Sequence, residues 1–143
     1  MTDNDLTTSA GAGGQMVTAT ERRALAPRYA PVTLRAAWWT WRSVRRARRE
    51  LRDSGVRAQV APPPKLPWGA GRGVNAVLRR QAPTCLERSL VMQAWLVAQG
   101  EPYDVVVGVT RTASGFDAHA WVDLSPDTPD WVKYEELLRL PPP

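Results

Sequence analysis

Residues 83–100 read PTCLERSLVMQAWLVAQG and residues 115–124 read GFDAHAWVDL. The first stretch has a helix signature at both ends. Thr84 is a favoured N-cap, and Glu87 three residues on completes a capping box. Gly100 supplies the left-handed residue that closes a helix running from Cys85 to Gln99. The second stretch alternates strictly, which predicts a strand over Phe116–Leu124. Its Phe116, Ala118, Ala120, Val122 and Leu124 face is expected in the core; Asp117, His119, Trp121 and Asp123 take the other side. Between them, YDVVVGVT (103–110) reads as a valine-rich buried strand and RTASG as a turn. A cysteine-bearing helix followed by a small antiparallel sheet makes the chain α+β.

Working outward, SPDTPD (125–130) is a turn, and WVKYEELLRL (131–140) is a last short strand running into a helical turn. Upstream, RGVNAVLRRQA (72–82) is a short helix with Val74, Val77 and Leu78 inward, ended by Pro83. VAPPPKLPWGAG (60–71) is an extended linker, because its prolines lack the amide hydrogen. A helix is expected over Val32–Asp53, stopping at Gly55, with Leu34, Ala37, Trp41, Val44 and Leu51 as its apolar stripe and Trp38 widening it. TATE (18–21) starts a short helix through Ala26, ended by Pro27 and Pro31. Residues 1–17 form a polar, disordered tail. Residues 18–143 make one domain: a basic helical region (18–59), the linker (60–71) and a core (72–143).

Composition narrows the function classes. The 143 residues carry one cysteine and one histidine, a formal charge of +5 and a pI of about 10.1. A lone cysteine excludes an internal disulfide framework, and the pair argues against a tetrahedral zinc site, so no metal or cofactor is expected. There is no secretory signal and no transmembrane run, and a reduced cytoplasmic setting is the natural reading. Ten of the nineteen Lys and Arg lie between Arg22 and Arg52. Arg35, Arg42, Arg45, Arg46, Arg49 and Arg52 share the second helix with its tryptophans. The expectation is core packing for the Trp face; a membrane interface is the lesser reading.

Cys85 at the first helical position lies beside unsatisfied amides and the positive end of the helix dipole. That end contributes about 0.3–1 kcal/mol to a nearby anion, too little alone to hold a thiol as thiolate at neutral pH. A cationic partner is required, and His119 is the one histidine. The backbone N–H of Cys85 is placed to donate to a tetrahedral oxyanion. Gln81 is a second donor only if it turns inward. A base histidine needs an orienting carboxylate. Asp117 and Asp123 project beside His119, so the choice falls on Asp130, with Asp127 next. The plain alternatives are a buried apolar cysteine, a hydrogen-bonded strand histidine and turn aspartates.

These stretches resemble the transglutaminase-like cysteine proteases of lasso-peptide biosynthesis, the leader peptidases. The likeness runs from about Gly73 to Leu124, through Cys85, Leu86, Ser89, Leu90, Leu96, Gly100, Gly108, His119, Ala120 and Trp121. It implies a transglutaminase-like, papain-like core. It implies that Cys85 attacks the bond joining leader to core peptide, that His119 moves the protons and that an aspartate orients it. The short length resembles the split form, in which a separate small protein binds the leader; a separate ATP-dependent macrolactam cyclase acts on the freed core. Beyond Leu124 the chain departs from the family's pattern of a glycine turn and a full strand. The competing class is a basic module, for nucleic acid or protein, on an inactive scaffold of the same kind. A transglutaminase that resolves the same thioester with an amine also remains open.

Overall fold

The computed structural model describes residues 19–124 and 133–143, with side chains from Pro31 onward. The elements are α1 (Ala19–Ser54), α2 (Gly71–Gln81), α3 (Cys85–Ala98), β1 (Val105–Thr112), β2 (Gly115–Val122) and β3 (Glu135–Leu140). Single 3-10 turns at Gly55–Arg57 and Trp68–Ala70 punctuate the segment between α1 and α2. The strands form one antiparallel sheet in the order β2-β1-β3. The class is therefore α+β, with the cysteine at the head of the helix that meets the sheet.

The expectation that Pro27 and Pro31 break the first helix is wrong: α1 runs through both for 36 residues. The prolines stand four apart, so the two lost donors lie on one side of the helix and the other bonds continue it. Gly55, at φ 59°, then ends α1 as the sequence suggests.

The expected stripe of α1 holds at Val44 and Leu51 and is out of phase before them. The face that packs is Ala36, Trp39, Thr40, Ser43, Val44 and Ala47, whereas Leu34, Trp38 and Trp41 are exposed. Small residues win the inside because α2 comes close. At Gly73 a Cβ would run into the backbone of Thr33 and Ala37, so backbone meets backbone there and bulky side chains turn outward. Thr40 is accommodated by donating its hydroxyl to the Ala36 carbonyl at 2.8 Å. Trp39 donates its indole N–H to the Ala61 carbonyl at 3.2 Å, pinning the proline-rich segment to α1.

Helix α3 is buried along most of its surface, and its Leu90, Val91, Ala94, Trp95 and Leu96 join α1 and α2 in one core with Val74 and Leu78. A helix apolar nearly all round belongs at the centre of a fold. Its one long buried amide is satisfied: Gln93 Nε2 donates to the carbonyls of Tyr103 and Leu140, each at 3.0 Å. The start of β1 and the end of β3 are thereby tied to α3.

The face prediction for β2 holds only in part. Ala120 is buried and Val122 packs on the helical core, but Phe116, Ala118 and Leu124 are exposed. The β1–β2 hairpin is longer than the part of the sheet that α3 covers. Its tip projects, and Arg111 lies 5.5 Å from the Phe116 ring. Trp121, on the opposite face, is buried instead.

Candidate active site

Thr84 caps α3 as the sequence suggests. Its Oγ1 accepts the Glu87 amide at 3.3 Å, and Glu87 Oε2 accepts the Thr84 amide at 3.1 Å. Cys85 is the first helical residue and is partly buried. The box uses the amides of Thr84 and Glu87 and leaves those of Cys85 and Leu86 facing outward from the helix end.

A third element holds this corner. Arg48 of α1 donates from Nε to Glu87 Oε2 at 3.0 Å and from Nη2 to the Gln81 carbonyl at 3.0 Å. One guanidinium thus clamps both the last turn of α2 and the first turn of α3. Gln81 enters the corner through this carbonyl. Between the two helices Ala82 takes φ 42°, the left-handed region, although it is not glycine. Arg48 was not legible as special among so many arginines.

His119 stands on β2 opposite Gly108 of β1, and Trp121 opposite Val106. The His119 and Trp121 rings lie 6.1 Å apart and 17° from parallel. Trp121 is 8% exposed, so it walls the histidine from solvent on that side. The Tyr134 ring lies 5.5 Å from His119 and 6.2 Å from Trp121. Its hydroxyl donates to Asp117 Oδ2 at 2.8 Å. That bond raises the Tyr134 pKa above its ordinary value; burial and the Asp117 charge push the same way, with a smaller electrostatic contribution from Cys85. Tyr134, just before β3, therefore packs on the His119 ring of β2.

Gly108 makes room for this cluster. A Cβ there would sit 2.9 Å from Trp121 Cη2, 2.9 Å from Tyr134 Cβ and 3.1 Å from the Glu135 carbonyl. A bulge falls at the same point: Val107 pairs with Leu138 but Gly108 with Glu136, so β3 carries one extra residue beside it. A lone glycine in a valine strand is the sequence signal of such a close approach. Tyr134, by contrast, sits in a stretch that reads as a short strand running into a helical turn, and it lies just before β3.

The remaining aspartates divide. Asp117 is engaged by Tyr134, and Asp123 by Arg139 Nη1 at 2.7 Å, with Asp104 at 3.2 Å from the same nitrogen. Asp127 and Asp130 lie outside the described residues. Among the described residues no three His, Cys, Asp or Glu side chains gather as a metal site, and no helix is long and apolar enough to cross a membrane.

A helix that opens on cysteine and meets a three-stranded antiparallel sheet carrying histidine defines the class of this molecule. The model of one family, the Transglutaminase-like superfamily, matches residues 29–130. That span includes most of the chain, and the protein belongs to the Transglutaminase-like superfamily. No curated protein and no solved structure gives a significant match.

Proposed function

We propose that this protein is a cysteine endopeptidase that removes the leader from a ribosomally made lasso-peptide precursor in the cytoplasm. A small leader-binding protein presents the precursor, and a macrolactam cyclase uses the freed core. The observation that supports the reading is Cys85 at the capped head of α3, the helix that meets the sheet, with His119 on β2 of that sheet, in a chain of the Transglutaminase-like superfamily.

His119 takes the Cys85 proton, and the sulfur attacks the carbonyl carbon at the leader–core junction. A C–S bond forms and the carbonyl electron pair moves to oxygen, where the Cys85 amide donates to it. Collapse breaks the C–N bond, and the imidazolium protonates the departing core amine. The imidazole then deprotonates a water that attacks the thioester, releasing the leader carboxylate and restoring the thiol. Asp130 is assigned to orient the imidazole.

The test is mass spectrometry of a precursor incubated with its leader-binding protein and wild type, Cys85→Ala, His119→Ala or Asp130→Asn protein. Cleavage is expected from wild type alone at full rate, with none from Cys85→Ala although precursor still binds. Normal cleavage by Cys85→Ala ends the protease reading. An amine adduct in place of the free carboxylate, when a primary amine is supplied, would assign the protein to amine transfer instead.

A further inference from the structure

The rotated phase of α1 leaves an unusual surface. Trp38 and Trp41 are 59% and 37% exposed. The Arg42 guanidinium lies 4.7 Å over the Trp38 ring and that of Arg45 lies 4.3 Å over Trp41. Beside them runs a groove of about 480 Å³, with Trp38, Arg42, Arg46 and Arg49 along one wall and Pro62 on the other. The second wall is fixed, because Trp39 holds the Ala61 carbonyl.

The groove's charge is unevenly spent. Arg46 is paired to Glu50 at 2.6 Å. Among the described residues Arg42 and Arg49 have no carboxylate within ion-pair distance. Stacking on Trp38 orders Arg42 without neutralising it. Glu50 and Asp53 also line the groove, and they would repel a continuous phosphate backbone more than spaced carboxylates. A bilayer would take the exposed Leu34, Trp38 and Trp41 edge, whereas the groove beside it carries Glu50 and Asp53, which an anionic lipid surface would repel.

We infer that this groove binds an extended acidic segment of a partner polypeptide, with carboxylates on Arg42 and Arg49 and an apolar side chain against Trp38. Arg42 and Arg49 are seven residues apart on one helix, about 10 Å along its axis. A segment in the polyproline II conformation covers that distance in about three residues and one full turn, so acids at every third position share the face turned to the groove. The site is independent of the thiol chemistry.

The test is fluorescence anisotropy of a short fluorescein-labelled peptide with glutamate at every third position and one terminal leucine, titrated with the full chain. Wild type is expected to bind, and raising salt from about 0.05 to about 0.5 M to weaken it roughly tenfold. Arg42→Glu with Arg49→Glu should weaken binding by at least about tenfold. Arg79→Glu with Arg80→Glu, on the exposed side of α2, should change it less than about twofold. Replacing the peptide leucine by serine should weaken wild type but not Trp38→Ala. Circular dichroism of each variant checks that it is folded. No peptide binding, equal loss from the two charge reversals, or binding of phosphatidylglycerol vesicles that the peptide does not displace would each overturn the inference.

Discussion

Ala82 occupies a left-handed backbone position two residues before Thr84. That conformation costs an L-residue about 1–2 kcal/mol, and glycine would relieve it while adding about 0.4–1 kcal/mol of unfolded-state entropy. Ala82→Gly is therefore expected to raise the urea-unfolding free energy by about 0.5–1 kcal/mol. Glu87 gives the opposite case. Its buried carboxylate receives both the Thr84 amide and Arg48. Glu87→Ala removes the box and leaves an arginine and an amide without their acceptor, a loss of about 2–3 kcal/mol by the same measurement. Arg48→Ala made in that background should then cost less than in wild type, because the two share one interaction.

At the scale of elements, the site is the junction of α3 with the sheet, and Gly108 sets its width. Gly108→Ala is expected to cost about 1–3 kcal/mol and to slow the proposed cleavage, because relief of the clash moves Tyr134 or Trp121 away from His119. Near-ultraviolet circular dichroism would report the displaced rings. The Tyr134–Asp117 bond also makes β3 sensitive to alkali. The folded phenol titrates above its ordinary value, so its contribution is complete below about pH 10 and is lost as pH rises through the folded pKa. Thermal melts of wild type and Tyr134→Phe should converge at alkaline pH, with wild type the more stable below it. Much at this scale was legible beforehand. The cap, the left-handed Gly100 and the alternation around His119 are local signals, and local signals survive folding. Tyr134 was not legible, because its value comes from a contact across the sheet that no spacing encodes. Asp130 and Asp127 stay where the residues alone left them.

For the whole molecule, one apolar core joins three helices, and Leu78 is among its fully buried side chains. Leu78→Ala is expected to cost about 2–5 kcal/mol, measured by urea unfolding. The overall class could be read from the chain, but the phase of α1 could not. Trp38 and Trp39 are adjacent, so the helical wheel permits either one inside. The choice was made by the close approach at Gly73, which favours alanine, threonine and serine at the contact.

The clamp at the head of α3 has an evolutionary corollary. Arg48 and Thr84 both bond to Glu87, so losing Glu87 strands the two of them, and losing Arg48 leaves the buried carboxylate without its counter-charge. Descendants that abandon Arg48 should have exchanged Glu87 as well, and an aligned set of relatives would show these positions drifting in concert, tens of residues apart along the chain.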